Sequence, residues 1–158
     1  KPGAMKVTDL VLAYTSLNPV WPDGTPIRIL IRPKSESDTA LMGQLFPGLG
    51  SAIEEARKRP DVTVAATDQD NVEKAEQLPG SLVGSTLTQI MVEKRNLRAI
   101  AIDGIEPTLE NFERGNYRYG KSLYFVVPAK PTALAERFIL FLRSAEGQAL
   151  LRQALVIL

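Results

Sequence analysis

The feature of this sequence that most constrains its fold is the alternation of short apolar runs with segments of helical spacing. Residues 27–31 (IRILI) form a β-branched run, a polar loop follows, and helical spacing begins at Ala40. Residues 62–66 form a second short apolar run, and its polar loop leads into a helical segment at 71–77. This repeated order of strand, loop and helix predicts an α/β fold, with a mainly parallel sheet and helices on both faces.

The same patterns predict the other elements of the chain. Helices are predicted where apolar residues recur at helical spacing, at 9–16, 50–59, 86–94, 109–114, 132–143 and 145–153. Strands are predicted at 81–84, 98–102 and 122–127. The last of these is continuously apolar, which is typical of a strand buried on both faces. We also expect Thr8 to cap the first helix, and helix 132–143 to bury Phe138, Ile139, Phe141 and Leu142.

Charge and composition exclude several classes of function. The chain has 19 basic and 18 acidic side chains, so no general electrostatic field attracts nucleic acid or an anionic membrane. It contains neither Cys nor His, which excludes thiol catalysis, a histidine general base and a zinc site of the usual kind. No apolar run approaches the roughly 20 residues that span a bilayer. We expect no metal, no cofactor and no nucleic-acid partner.

The polar loop at 32–39 is the best candidate for a binding site. It leads into a helix, whose N-terminus offers unpaired backbone N–H groups and a partial positive charge to an anion. Arg32 can add a fork of donors and Lys34 a point charge, while the Asp38 carboxylate can accept a hydrogen bond from a protonated oxyanion. The other candidate donors are the hydroxyls of Ser35, Ser37 and Thr39. The alternative is that Ser37 or Asp38 only caps the helix.

A second polar loop, at 67–70, has the same place between a strand and a helix. Thr67 and Asp68 would meet the first loop across a crevice, or they form an ordinary helix cap with an acidic first turn. A catalytic alternative is a small α/β hydrolase that uses Asp68 or Asp103. A related one is a carboxylate pair for glycoside cleavage, made by Asp103 with Glu106 or Glu110.

Four pieces of the chain, in their order, carry a resemblance to a known family. They are residues 8–14 followed by 21–27 (WPDGTPI), 32–39 followed by Phe46, 79–84 (PGSLVG), and 115–127 followed by 138–141 and 144–148. Together they resemble the substrate-binding proteins of phosphate-type ABC transporters, in the type 2 periplasmic binding protein family. The likeness covers nearly the whole chain.

The resemblance implies an extracytoplasmic solute-binding protein and not an enzyme. Such a protein binds phosphate or a related inorganic oxyanion and delivers it to an ABC transporter permease. Ser37 and Thr39 fall on the family's phosphate-contacting hydroxyls, whereas Asp38 stands where the family usually has Gly and Pro33 where it has Arg. A ligand-sensing effector domain of a regulator, with the same fold, is the alternative.

The resemblance also implies a division of the chain. Residues 1–120 correspond to the second, ligand-binding lobe, and residues 121–158 to the crossover (hinge) strand and C-terminal helices of the first lobe. The N-terminal part of that first lobe is not among these residues, and residues 1–6 lack the hydrophobic segment of an export signal. First-lobe elements that lack their partners would leave an apolar surface open, which favours a homodimer or strand exchange.

Overall fold

The computed structural model describes residues 3–158, which form five short strands and eight helices. The strands are β1 (Ala4–Met5), β2 (Arg28–Ile31), β3 (Thr63–Val64), β4 (Ser81–Leu82) and β5 (Ala101–Ile102). The helices are α1 (Val7–Thr15), α2 (Ser37–Leu45), α3 (Leu49–Arg57), α4 (Asp68–Gln77), α5 (Leu87–Val92), α6 (Leu109–Glu113), α7 (Ala133–Arg143) and α8 (Ala145–Gln153). Across these residues no helix is long and apolar enough to cross a membrane.

The named strands of residues 3–158 pair only in parallel. The larger sheet has the order β3-β2-β4, and β1 pairs with β5 in a separate two-stranded sheet. Parallel strands need crossover connections, and here α2 and α3 connect β2 to β3 while α4 connects β3 to β4. The predicted α/β fold with a mainly parallel sheet is confirmed.

Strand β2 is buried on both of its faces. Ile29 and Ile31 point to one face, where they join the core cluster with residues of α1 and α3. Leu30 points to the other face and is also buried, and α4 lies against β2 and β4. The prediction of helices on both faces is therefore confirmed, and the continuous run of residues 29–31 has the composition that such burial requires.

Helix α1 begins one residue before the predicted cap. Its N-cap is Lys6, so the prediction that Thr8 caps this helix was wrong. The N–H of Val7 donates to Oδ1 of Asp103 at 3.0 Å. A carboxylate 96 residues away along the chain therefore caps the first turn in place of a local side chain. Asp103 has a positive φ of 51° in the turn after β5, and its carboxylate is engaged at the start of α1.

Helices α2 and α4 begin earlier than the sequence predicts. Residues 37–39 are the first turn of α2, and Asp68 opens α4, although both stretches had been expected to be loops. Short polar side chains are compatible with the first turn of a helix as well as with a loop, so the pattern misplaces the boundary. The polar residues of interest therefore lie on helix N-termini.

The predicted strand at 122–127 is absent from the structure. The backbone there adopts no regular element, and the five side chains from Leu123 to Val127 are exposed. A strand needs a neighbour to bond its N–H and C=O groups, and no strand of residues 3–158 pairs with this segment. The apolar pattern is typical of a buried strand, but no part of the described chain covers this segment.

Helix α7 is also less buried than predicted. Its bounds agree with the prediction, yet Phe138 and Phe141 are exposed, Ile139 is half-buried, and only Leu142 is buried within the helix. The reason is that α7 packs chiefly against α8. A helical apolar stripe shows which side seeks burial, and here most of that stripe has no cover within the described residues.

Candidate functional site

Arg32 joins the two polar loops at the carboxyl edge of the larger sheet. It follows β2 directly, and its side chain is only 8% exposed. Its Nη1 donates to the carbonyl oxygen of Ala65, which follows β3, at 3.2 Å. Its Nη2 lies 3.1 Å from Oε2 of Glu36 and 3.2 Å from Oδ1 of Asp68. The structure thus brings the first and second loops together through one buried guanidinium.

The charge around Arg32 is not purely positive. One guanidinium meets two carboxylates, whose side chains are 39% exposed at Glu36 and 57% exposed at Asp68. Solvent screens both carboxylates, so each ion pair is weaker than a fully buried one. The Nε of Arg32 is buried and has no hydrogen-bond partner in the described part of the chain. An anion that approaches Arg32 therefore competes with Glu36 and Asp68.

The N-terminus of α2 lies next to Arg32 along the chain. Its N-cap is Glu36, whose side chain makes no capping hydrogen bond, so the alternative that Ser37 or Asp38 caps the helix was wrong. The first turn keeps backbone N–H groups that no capping side chain engages. Ser37 is exposed beside them. This is the arrangement in which a helix N-terminus can accept an oxyanion.

Thr39 and Asp38 tie this helix start to other parts of the chain. The Thr39 hydroxyl donates to the carbonyl oxygen of Pro33 at 3.1 Å, which closes the loop on itself. The Asp38 carboxylate forms an ion pair with Lys121. Lys121 lies just before the exposed apolar segment at 123–127. Asp38 thus links the N-terminus of α2 to the C-terminal part of the molecule.

Lys34 and Ser35 lie on the outer side of the loop. The Lys34 side chain is 77% exposed, and its Nζ lies 3.4 Å from Oε2 of Glu54 on α3. Ser35 is exposed as well. The structure shows no contact of these two residues with Arg32. Of the other candidates in the first loop, Asp38 and Thr39 line a cavity together with Arg32, and Ser37 is exposed on the first turn of α2.

The second loop is built as a helix cap. Oγ1 of Thr67 accepts a hydrogen bond from the N–H of Asp70 at 3.0 Å, which confirms the capping alternative for this residue. The Asp70 carboxylate accepts from Lys74 Nζ at 2.8 Å and from the Ala66 N–H at 2.7 Å. The hydrogen bond from Lys74 has the largest effect, and together with the bond from Ala66 it holds the pKa of Asp70 below its ordinary value. The cap fixes where α4 presents Asp68 to Arg32.

Replacing Thr67 by Ala is expected to lower the free energy of unfolding by about 1 kcal/mol, because the Asp70 N–H loses its acceptor. Urea denaturation followed by circular dichroism measures the loss. Thr67→Ser is the matched control, since it retains the oxygen and should keep most of the stability. A loss of the same size in both variants would mean that the cap is not the cause.

A small cavity beneath Arg32 includes residues that the sequence did not single out. Its volume is about 20 Å³, enough for one water molecule, and its polar lining adds Tyr14 and Asn71 to Arg32, Asp38 and Thr39. Asn71 is buried, and its Nδ2 donates to the carbonyl oxygen of Gly84 at 2.9 Å, while its Oδ1 has no partner among the described residues. Burial raises the pKa of the Tyr14 hydroxyl, which therefore stays protonated.

The sequence held one weak signal for Asn71. Asn is a poor helix former and occurs rarely inside helices without a specific hydrogen bond. Here it lies in α4, directly after the polar stretch that was singled out. Tyr14 gave no such signal, because at its helical spacing it is indistinguishable from a core residue.

The chain has no match among family models or curated protein sequences, but its fold is known from crystal structures. A candidate phosphate ABC transporter substrate-binding protein from Clostridium perfringens, with bound phosphate, has a TM-score of 0.75 and 15% identity, over 99% of this chain and 63% of that one. PstS from Borrelia burgdorferi has a TM-score of 0.64 and 19% identity, over 96% of this chain and 62% of that one.

A third structure agrees with these two. A possible phosphate binding protein from Planctomyces limnophilus has a TM-score of 0.54 and 20% identity, over 96% of this chain and 57% of that one. The chain thus spans less than two thirds of each of these proteins. The likeness predicted from the sequence is confirmed at the level of the fold: almost the whole chain has the fold of phosphate-type ABC transporter substrate-binding proteins.

Proposed function

We propose that this chain is the ligand-binding part of an extracytoplasmic solute-binding protein, which binds phosphate or a related oxyanion and delivers it to an ABC transporter. The observation that carries the proposal is the position of Arg32. In a fold shared with phosphate-binding proteins, a buried guanidinium joins two polar loops at the carboxyl edge of a parallel sheet. In open α/β sheets, ligands bind outside the carboxyl ends of the strands.

The oxyanion binds between Arg32 and the N-terminus of α2. The guanidinium supplies charged donors, and the first turn of α2 supplies backbone N–H groups. Ser37 supplies its hydroxyl, and Thr39 supplies its own after releasing the carbonyl oxygen of Pro33. The small cavity beneath Arg32 has room for about one water molecule, so an oxyanion at Arg32 takes donors now used by Glu36 or Asp68. Lys34, Ser35 and Thr67 lie at the edge of this site.

The carboxylates around the site favour an oxyanion that carries a proton. Glu36 and Asp68 both contact Arg32, and Asp38 lies in the first turn of α2. An ionised carboxylate can only accept a hydrogen bond, so it repels an unprotonated anion and attracts the O–H of hydrogen phosphate. The proposal therefore ranks phosphate above sulfate, which carries no proton at neutral pH.

The protein acts as a carrier and not as an enzyme. The two acids of the hydrolase alternative are both engaged elsewhere, since Asp68 contacts Arg32 and Asp103 accepts from the N–H of Val7. Both contacts are structural, since one joins the two polar loops and the other caps α1. The proteins that share the fold are described as substrate-binding or phosphate-binding proteins.

The division into lobes is part of the proposal. Residues 1–120 form the ligand-binding lobe, and residues 121–158 belong to the first lobe. The contacts of α7 and α8 support this, because the two helices pack chiefly on each other. The Asp38–Lys121 ion pair joins the two parts beside the proposed ligand, so closure of the lobes acts on the site directly.

Calorimetric titration of the protein with phosphate, sulfate, molybdate and tungstate tests the function. We expect heat of binding with phosphate, and loss of that heat in the double variant Ser37→Ala, Thr39→Ala, because both hydroxyl donors are removed.

The matched control is Ser51→Ala, an exposed hydroxyl on α3 that should leave binding unchanged. Absence of heat with all four anions would contradict the proposal that the protein is an oxyanion carrier. Equal affinity in the double variant and the unaltered protein would instead reject the site while keeping the function.

A further inference from the structure

Two residues that line the small cavity beneath Arg32 each carry a buried polar atom without a hydrogen-bond partner in the described part of the chain. These atoms are Nε of Arg32, which is a donor, and Oδ1 of Asn71, which is an acceptor. The two residues are only 8% and 3% exposed. Buried polar atoms in native proteins are paired in the large majority of cases, so this donor and this acceptor together indicate a ligand atom that serves both.

The side-chain amide of Asn71 is held in one orientation. Its Nδ2 donates to the carbonyl oxygen of Gly84 at 2.9 Å, and a carbonyl oxygen can only accept, so the amide nitrogen and not its oxygen faces Gly84. Tyr14 lines the same cavity, but its hydroxyl is not a partner of Oδ1, which has none among the described residues. Asn71 therefore keeps a fixed and uncharged acceptor for a donor from outside the chain.

One kind of atom can satisfy both groups at once. The oxygen of an O–H group accepts from the Nε–H of Arg32 and donates its proton to Oδ1 of Asn71, whereas an oxygen without a proton can serve only Arg32. The cavity has a volume of about 20 Å³, which is the space of one such oxygen. The two residues are thus complementary to a single hydroxyl group.

The cavity adjoins the place where the oxyanion is proposed to bind. Asp38 and Thr39 line it, and both belong to the first turn of α2. An oxyanion at Arg32 and this helix N-terminus can therefore put one oxygen into the cavity while its other oxygens stay at the helix.

Given the proposed function as an oxyanion carrier, on which this step rests, we propose that Asn71 selects a ligand that carries a hydroxyl group. Its Oδ1 accepts the O–H of the bound oxyanion, and the same hydroxyl oxygen accepts from the Nε–H of Arg32. The ligand class is an oxyanion with an X–OH group, such as hydrogen phosphate. Glu36 and Asp68 can also accept from an O–H, but both reach solvent, which offers them other donors. Asn71 is buried and uncharged, so it accepts the proton without repelling the anion.

Fluorophosphate tests this role, because it has the shape and charge of the hydrogen phosphate dianion but carries fluorine in place of the hydroxyl. Calorimetric titration of the whole chain, at a mildly alkaline pH where both ligands are dianions, should give fluorophosphate a Kd at least about 10-fold above that of phosphate. Asn71→Leu replaces the amide by an apolar group of the same branched shape. In this variant phosphate should lose about 10-fold in affinity, and the two ligands should bind alike.

Ser81→Ala is the matched control for Asn71→Leu. The Ser81 hydroxyl donates to the carbonyl oxygen of Ala75 at 2.8 Å, so its removal also takes one side-chain bond from the junction of β4 with α4, but Ser81 does not line the cavity. This variant should keep the preference for phosphate over fluorophosphate.

Two outcomes overturn the role of Asn71 and leave the proposed function standing. If Asn71→Leu weakened both ligands alike and kept the preference, the residue would be purely structural. If the unaltered protein bound both ligands equally, the hydroxyl in the cavity would come from water and not from the ligand, and this result does not depend on whether any variant folds. Absence of binding by either ligand would instead contradict the proposed function, and the role of Asn71 with it.

Discussion

Replacement of Arg32 by methionine is expected to abolish phosphate binding while the protein stays folded. Arg32 contacts both polar loops at the proposed site, through Ala65 beside the second loop and Glu36 of the first. Charge-assisted hydrogen bonds to a buried ligand contribute about 1.5–3 kcal/mol each, so losing two of them raises Kd about 100-fold or more. Calorimetric titration with phosphate measures the change.

The folded state should survive this substitution. The carboxylates that Arg32 contacts have exposed side chains, 39% at Glu36 and 57% at Asp68, so water replaces the guanidinium as their partner. Methionine retains most of the apolar contact of the arginine stem. A modest fall in the unfolding midpoint is expected, and not the collapse that an uncompensated buried charge would cause.

Arg57→Met is the matched control for Arg32→Met. Arg57 lies on α3, is partly buried, pairs with Glu54 at 3.3 Å, and also has a buried nitrogen without a partner in the described chain. Its replacement removes the same charge from the protein but leaves the meeting point of the loops intact. An unaltered Kd in Arg32→Met, or an equal loss in both variants, would show that Arg32 is not the anion-binding group.

Most of the fold could be predicted because its signals are local. The run at 27–31 is β-branched and apolar, and the structure buries Ile29, Leu30 and Ile31 on the two faces of β2. Each such run is followed by polar residues and then by a segment of helical spacing. This repeated order leaves only a few possible ways to connect the strands. Parallel pairing then follows, and with it the meeting of the two polar loops at one edge of the sheet.

What the sequence did not predict depends on partners distant in the chain. The cap of α1 comes from Asp103, so no residue near Thr8 could reveal it. The ion pairs of Arg32 with Glu36 and Asp68 depend on side-chain direction, which periodicity does not fix. The segment 122–127 has the composition of a buried strand, but composition does not say whether a neighbouring strand is present in the chain.

Replacing Gly80 by alanine is expected to destabilise the fold more than any other change considered for this protein. Gly80 has a φ of +80°, and a Cβ there would lie 2.2 Å from the carbonyl oxygen of Pro26, a backbone atom that cannot rotate away. The carbonyl oxygen of Gly80 accepts from the Arg28 N–H at 3.0 Å and from the indole Nε1 of the buried Trp21 at 3.0 Å. A shift of Gly80 therefore disturbs both the pairing of β2 with β4 and the anchoring of Trp21.

The loss of stability in Gly80→Ala has two parts, the backbone cost of a positive φ and the steric clash with Pro26. Gly24→Ala serves as a comparison that has the first part without the second. Gly24 has the same φ of +80°, but apart from its own two chain neighbours no atom of the described chain lies within 4 Å of the place that an alanine Cβ would take. Gly24→Ala therefore bears only the backbone cost of about 1–2 kcal/mol. Gly80→Ala bears that cost and the steric clash, and we expect a loss of at least about 3 kcal/mol. Because domains of this size are stable by about 5–15 kcal/mol, urea denaturation should resolve the two variants clearly. If both glycine variants lost the same free energy, the close approach of Gly80 to Pro26 would contribute nothing, and the junction of β2, β4 and Trp21 would be more compliant than its hydrogen bonds imply.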